Sequence, residues 1–245
     1  KWFDPQWKRD EADAEKRADR VWNERDAQAI VDAVRGKAGT VSEESKPSSQ
    51  ASPQLYDLTS LQREANGRFG YSAKTTLQIA QALYEKHKVL TYPRTDSRHL
   101  PQDYLAVAKN TVAALAQADL PGPLRELNKH AAKALQEGYV KPGKRVFDNA
   151  KVSDHFAIIP TLEAPKSLSE AEAKLYDMVV KRFLAVFYPS AEYLVTTRTT
   201  RVEGHAFITN GKVLVNPGWL AVYGKEAQEA DANLVPIQPG ETVSN

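Results

Sequence analysis

Several kinds of site and segment are missing from this chain of 245 residues. It contains no cysteine, which excludes a disulfide framework and a thiolate-bound metal. Its five histidines show no pair at metal-ligand spacing such as His-Glu-x-x-His. No apolar run approaches the roughly 18–20 residues that a transmembrane helix needs, and the first residues carry no apolar signal-peptide core. We therefore expect a globular, cytoplasmic protein.

Strong net charge is also missing, since 33 Lys and Arg residues stand against 31 Asp and Glu residues, for a formal charge of +2. This balance does not by itself indicate a nucleic-acid partner, because DNA-binding domains are often more basic, although a basic face can still be local. The length suits one large domain or two smaller ones with a real core. The chain opens without methionine and stops within a β-rich pattern, so we expect a piece of a longer protein.

Helical patterns dominate the first three quarters of the chain. Residues 9–34 form a charged, alanine-rich run with near-helical apolar spacing, which predicts an amphipathic helix that packs on a neighbour. A polar stretch with two prolines follows at 42–54, and it predicts a loop or the rim of a sheet at a domain boundary. Further helices are predicted near 102–117, 123–137 and 167–187, the last with a capping box that begins at Ser169.

Two more predicted helices, 57–69 and 72–87, flank a tight turn. Gly70 suits the positive φ of a helix end, and Ser72 is a candidate N-cap. A helix–turn–helix pair is common in DNA-binding domains, but most helix pairs are merely structural. The basic loop with Lys141, Lys144 and Arg145 is likewise more typical of a solvated surface than of a phosphate contact.

Strand patterns dominate the last part. Residues 193–202 and 205–215 are rich in β-branched residues, and Asn210-Gly211 predicts a type I′ hairpin turn between two β runs. A short strand is also predicted at VLTY, residues 89–92. Helices followed by a meander predict an α+β fold.

The stretch KVLTYPRTDSRHLP, residues 88–101, is the candidate for chemistry. Taken alone, Tyr92 is either a packed aromatic at a strand end or a nucleophile. A phenol becomes a nucleophile when nearby positive charge favours its ionised form, and Arg94 lies on the same side of an extended segment. A guanidinium also clamps phosphate oxygens well. Asp96 can orient Arg94 or receive its charge, while Thr95, Ser97 and Arg98 can anchor neighbouring phosphates.

Three ordered blocks resemble one family. TYPRTDSRHLP is similar to the active-site segment of type IA DNA topoisomerases, and Pro93 resembles the topoisomerase III-like members. HFAIIPT (155–161) resembles the family's His-x-Ala-Ile-x-Pro-Thr element, although Phe156 stands where relatives often carry a polar residue. LTSLQREANGRFGYSAKTTLQIAQALYE resembles the family's approach to the tyrosine. The resemblance covers roughly residues 55–224.

The resemblance implies a transient cut in single-stranded DNA through a 5′-phosphotyrosyl link, followed by strand passage and religation. Tyr92 is then the nucleophile, Arg94 positions the phosphate, and His155 hydrogen-bonds near the scissile phosphate or Asp96. The remaining expected DNA-binding residues are Thr95, Asp96, Ser97, Arg98 and Lys74.

The resemblance also implies a domain plan. A winged-helix-like domain at 55–188 carries the tyrosine and is inserted in a β-rich, arch-forming domain made of 36–54 and 189–245. Residues 1–35 are then a helical fragment of a neighbouring domain.

The largest departure from the family concerns its Toprim domain, because nothing in this sequence resembles that domain's glutamate and Asp-x-Asp cluster. We therefore expect a central fragment that does not cleave DNA alone. Mg²⁺ would act in the full-length enzyme, bound by Toprim, with no cofactor in this fragment. The expected partners are single-stranded DNA and the enzyme's own Toprim domain, with no membrane, in a monomer associated with nucleoid or plasmid.

The alternative is a non-catalytic DNA-binding module that uses the helix–turn–helix pair. That alternative leaves Tyr92 idle and its Arg-Thr-Asp-Ser neighbours unexplained. Two other classes of tyrosine nuclease fit less well. Relaxases need a paired histidine motif that is absent here, and tyrosine recombinases carry their tyrosine late in the domain and far in sequence from several basic residues.

Overall fold

The computed structural model describes residues 2–3, 19–120, 122–227 and 242–244. The chain divides into two compact units, the first made of 1–50, 192–216 and 229–245, the second of 51–191 and 217–228. Helices and a sheet are both present, which confirms the mixed α and β class. No helix in the described ranges has the length and apolar character needed to cross a membrane.

The helices begin and end close to the predicted positions. They are α1 (Glu24–Val34), α2 (Leu58–Phe69), α3 (Ala73–Glu85), α4 (Leu105–Gln117), α5 (Glu126–Gln136) and α6 (Glu170–Ala185), with short 3₁₀ turns before α4 and α5. The predicted run at 9–34 is helical only from residue 24 within the described part, and residues 9–18 lie outside it.

Local capping explains why these helices start and stop where they do. Ser72 accepts a hydrogen bond from the Thr75 amide at the start of α3, and Ser169 forms a capping box with Glu172 at the start of α6. Gly70 ends α2 in the left-handed conformation, with φ at 69°. These three predictions are confirmed.

The core of the second unit lies between the helices. α3 packs on α2 and α6, and α4 packs on α5. The largest side chains that are fully enclosed there are Tyr56, Tyr176, Phe183, Leu55, Leu61, Leu83, Leu90, Leu100, Leu120, Leu127, Ile158 and Ile159. Burial on this scale supplies the main stabilising free energy of the unit.

The first unit carries a sheet of strand order β1-β4-β3-β2-β5. Its strands are β1 (Trp2–Phe3), β2 (Ala38–Gln50), β3 (Ala191–Val202), β4 (His205–Asn216) and β5 (Thr242–Ser244). β3 and β4 form one long antiparallel hairpin, and β5 pairs antiparallel with β2.

The predicted turn of that hairpin was wrong. Asn210 and Gly211 lie inside β4, opposite Thr197 and Thr196. The chain reverses instead at Glu203-Gly204, where φ is 47° and 78°. Two consecutive positive φ values are what a type I′ turn requires, and this turn leaves β4 free to continue through the Asn-Gly pair.

The predicted VLTY strand was also wrong, because only an isolated bridge joins Leu90 to Pro160. The side chain of Thr91 also bonds to the 155–161 segment. Its Oγ1 accepts from the Ile159 amide at 2.9 Å and donates to the Ala157 carbonyl at 3.1 Å. The Thr91 hydroxyl thus takes the Ile159 amide that a further ladder bond would use, and the segment stays extended without forming a regular strand.

Candidate functional site

The segment that carries Tyr92 is held in place by backbone hydrogen bonds to the 155–161 segment. Thr91 N–H donates to the Ile159 carbonyl at 3.0 Å, and Thr161 N–H donates to the Val89 carbonyl at 3.0 Å. Farther along, Ala157 N–H donates to the His99 carbonyl at 3.0 Å. The two blocks that stand apart in the sequence therefore lie side by side.

Side chains after Tyr92 alternate between the interior and the surface. Thr95 and Ser97 are buried, whereas Arg94 and Asp96 are exposed, as an extended backbone dictates. Thr95 Oγ1 donates to the His155 carbonyl at 3.1 Å, and Ser97 Oγ donates to the Lys151 carbonyl at 2.7 Å. Since both hydroxyls are engaged with the protein, they fix the segment that presents Arg94. Their assignment as DNA contacts stays a prediction.

The ring of Tyr92 is half-buried between aromatic neighbours. The His155 ring lies 4.4 Å away, centroid to centroid, at an interplanar angle of 46°. The Tyr84 ring, on α3, lies 5.4 Å away at 75°, an edge-on contact. The structure thus brings together Tyr92 and His155, which the sequence separates, and adds Tyr84, whose contact the sequence did not reveal.

Arg94 is exposed, and no hydrogen bond or ion pair to it is found in the described part of the chain. Arg94 and Asp96 form no hydrogen bond or ion pair with each other in this structure, and the role of Asp96 toward Arg94 stays a prediction. Asp96 instead accepts a hydrogen bond from Ser153 Oγ at 3.3 Å. The guanidinium of Arg94 is left free to meet an incoming anion.

Arg98 forms an ion pair that the sequence did not indicate. Its Nε donates to Asp57 Oδ2 at 2.8 Å, and Asp57 also caps α2. Burial alone would raise the pKa of Asp57, but the hydrogen bonds from Ser60 and Arg98 outweigh it and lower that pKa. Arg98 thereby ties the tyrosine segment to α2, and its predicted contact with DNA stays a prediction. Lys74 is exposed in the first turn of α3.

A metal ion has no evident place among these residues. In the described ranges, no group of three or more histidine, aspartate or glutamate side chains is arranged to hold one. The structure places a phenol and an imidazole in contact, with an exposed guanidinium two residues after the phenol. Groups of these kinds can serve nucleophilic attack and charge stabilisation.

The chain is similar to known proteins of one family. The family model described as DNA topoisomerase matches residues 3–245. DNA topoisomerase 3 of Bacillus cereus is 42% identical over 235 residues, which is 92% of this chain and 31% of that protein. DNA topoisomerase 3 of Bacillus subtilis is 38% identical over 241 residues, or 95% of this chain and 32% of that protein.

Among solved structures, full-length topoisomerase I from Thermotoga maritima matches with a TM-score of 0.63 and 24% identity, over 94% of this chain and 36% of that one. At that identity the match shows the fold alone. The chain spans about a third of the length of the curated relatives it matches. The family model matches nearly the whole chain, and this match establishes the family of the chain. The chain belongs to the type IA DNA topoisomerases and is topoisomerase III-like.

Proposed function

We propose that this chain supplies the tyrosine-bearing part of an enzyme that cuts single-stranded DNA, passes another strand and reseals the cut. The observation that carries the proposal is the 4.4 Å contact between the rings of Tyr92 and His155, beside the unpaired Arg94. A phenol held against an imidazole and next to a free cation is suited to nucleophilic attack on phosphorus.

The cleavage step is an attack of the phenol on the phosphodiester. Tyr92 Oη forms a bond to phosphorus, and the bond from phosphorus to the 3′ oxygen breaks. The phenolic proton leaves, and the 3′ oxygen gains a proton, so the products are a 5′-phosphotyrosyl link and a free 3′ hydroxyl. Arg94 stabilises the charge on the non-bridging oxygens, and His155 donates a hydrogen bond at the phosphate. Religation is the reverse reaction.

Residues around the tyrosine are proposed to hold the DNA. Lys74, Asp96 and Arg94 are exposed and can face the strand directly. Thr95, Ser97 and Arg98 are engaged with the protein, so their contribution to DNA binding acts first through the shape of the segment.

The domain assignment is part of the same proposal. Residues 55–188 are assigned to a winged-helix-like domain, which the helix pair α2–α3 supports. Residues 36–54 and 189–245 are assigned to the arch-forming domain, which the long β3–β4 hairpin supports, and 1–35 to a neighbouring helical domain.

Cleavage by this chain alone is not expected. We propose that a Toprim domain in the full-length, monomeric protein binds Mg²⁺, which helps to neutralise charge at the phosphate. The share of the relatives' length that this chain spans leaves room for such a domain.

A covalent trapping experiment tests the nucleophile. The full-length protein is incubated with a single-stranded oligonucleotide labelled at either end and then denatured. We expect a protein adduct on the 5′-phosphate side that Tyr92→Phe abolishes. An adduct on the 3′-phosphate side, or one that persists in Tyr92→Phe, contradicts the proposal.

A complementation experiment tests whether cleavage by this chain depends on a Toprim domain. This chain is mixed with Mg²⁺, with and without a separately expressed Toprim domain from the same protein. We expect adduct formation only in the complete mixture. Efficient cutting by the chain alone in the presence of a chelator would disprove the dependence.

A further inference from the structure

Tyr92 contacts a second aromatic ring besides His155. The ring of Tyr84 meets it at 5.4 Å and 75°, the edge-on geometry that aromatic pairs favour. Tyr84 lies in the last turn of α3, so this contact comes from a helix and not from the 155–161 segment. Two separate elements therefore hold the Tyr92 ring.

Tyr84 is itself held by a cation. The Nζ of Lys88 lies 5.8 Å from the centroid of the Tyr84 ring, within the range of a cation–π contact. Both side chains reach solvent, Tyr84 partly and Lys88 more fully. The contact gives the Tyr84 ring a neighbour besides Tyr92.

The backbone at Lys88 is unusual in a way that supports this arrangement. Its φ is 61°, in the left-handed region that non-glycine residues seldom adopt. Its carbonyl accepts a hydrogen bond from Thr161 Oγ1 at 2.6 Å, which fixes the turn after α3 to the end of the 155–161 segment. The surrounding structure therefore holds Lys88, next to Tyr84, in a conformation that non-glycine residues seldom adopt.

We propose that Tyr84 is a positioning residue for Tyr92. It fixes the plane of the nucleophile's ring from α3, while His155 contacts that ring from the other segment. The inference rests on the proposed function of Tyr92 and deepens it, because it assigns to a residue outside the active-site motif the task of aiming the phenol.

The physical reason is the geometry of attack. A phenol on an extended loop can rotate about two side-chain torsions, and each wrong orientation lowers the fraction of molecules ready to react. Neighbouring rings that fill the alternative positions remove this freedom before DNA arrives. The Tyr84 ring is the group that does so; its hydroxyl is not required.

The test compares Tyr84→Leu and Tyr84→Phe in the full-length protein, with Tyr71→Leu as the matched control. Tyr71 is also a half-exposed tyrosine of the second unit with one aromatic neighbour, Phe69, at a ring distance of 5.3 Å. The measurements are the single-turnover rate of adduct formation at saturating oligonucleotide, the Kd for that oligonucleotide, and the Tm.

We expect Tyr84→Leu to slow adduct formation about two- to tenfold, the range that an aromatic pair provides, with Kd unchanged. Tyr84→Phe should restore the wild-type rate, and Tyr71→Leu should leave it unchanged. If Tyr84→Leu does not fold, Tyr84→Gln gives a second variant without the ring on a residue that suits a helix.

Three results would overturn the inference. They are a wild-type rate in the variants without the ring, a loss of rate in Tyr84→Phe, and a loss in Tyr84→Leu that Tyr71→Leu reproduces. Tyr92→Phe is run alongside. If it still forms an adduct, the proposed function fails; if it forms none while Tyr84→Leu cleaves normally, only the positioning role fails.

Discussion

The two compact units of the chain use buried groups differently. The second unit encloses large side chains from every one of its helices, and it also buries polar groups that hydrogen-bond to the backbone, such as Thr95 and Ser97. The first unit relies on strand pairing, and β2 is exposed along its whole length from Ser42 to Gln50. Large apolar side chains of its hairpin, including Val213 and Val215, reach solvent.

This difference indicates where precise geometry is built. A site that must aim a phenol needs side chains whose positions are set by packing and by satisfied hydrogen bonds, and the second unit provides both. A hairpin with alternating half-exposed side chains holds its backbone register but leaves many side chains free.

The largest expected contrast is in core truncation. Phe183, on α6, is fully buried and contacts Phe187 at a ring distance of 5.3 Å. Phe183→Ala should lower the free energy of unfolding by about 4 kcal/mol, since it removes buried area and leaves a cavity. Val215→Ala, at 66% exposure, should change it by less than about 0.5 kcal/mol. Urea denaturation measures both, and equal effects would break the contrast.

The next largest loss in the free energy of unfolding is expected when a buried cation is removed. Arg182 donates to the Tyr223 hydroxyl and the Gln54 carbonyl, both at 3.0 Å, forms an ion pair with Glu64, and lies 4.1 Å from the Tyr56 ring. Arg182→Leu should cost about 3 kcal/mol, because these polar groups lose their shared partner.

The matched control for Arg182 is Lys46→Leu in the first unit. The Lys46–Glu44 ion pair is exposed, so its loss should change the free energy of unfolding by less than about 1 kcal/mol. Chemical denaturation of both variants checks the order, and a larger loss for Lys46→Leu would reverse it.

A comparison of two arginines tests which unit carries the chemistry. Arg94→Ala should slow adduct formation about a hundredfold, as loss of a charge-stabilising donor does in other enzymes, while Arg94→Lys should recover part of the rate. Arg198→Ala, which removes the Arg198–Glu43 pair of the first unit, should change the rate by less than about threefold. Single-turnover cleavage by the full-length protein measures all three, and equal losses for the two alanine variants would contradict the assignment.

The smallest effect expected is on pH dependence. Burial, and then the charge of Lys151, lower the pKa of His99. In the unfolded chain the histidine pKa is about 6.5, so as the pH falls the unfolded state binds more protons than the folded state. The stability contributed by the neutral His99 is therefore complete above about pH 6.5 and is lost below it. The pKa of His130 is lowered as well, again chiefly by burial.

Thermal melts from pH 8 to pH 5 check this sign, in a range above the titration of Asp57, whose pKa is lowered. We expect Tm to fall with pH, less steeply in His99→Gln, and least in the double variant with His130→Gln. A Tm that rises toward pH 5, or an identical slope in all three proteins, would rule the explanation out.

Much of the second unit could be predicted from its sequence because its signals are local. The caps at Ser72 and Ser169 and the glycine at the end of α2 act within a few residues, so the helix bounds followed from them. The hairpin turn could not be chosen locally. Asn-Gly and Glu-Gly both permit positive φ, and the long pairing of β3 with β4 selected the second.

For the site, the sequence by itself determined which groups are present: a tyrosine, an arginine two positions later, and the 155–161 block, in an order that resembles one family. Only the tertiary structure decided which of them touch. It placed His155 and Tyr84 against Tyr92 and turned Thr95 and Ser97 inward. It also paired Asp96 with Ser153, and Arg98 with Asp57, through hydrogen bonds. The physical reason is distance along the chain. Alternation along an extended segment is local, whereas the partner of each side chain depends on which other segment folds against it.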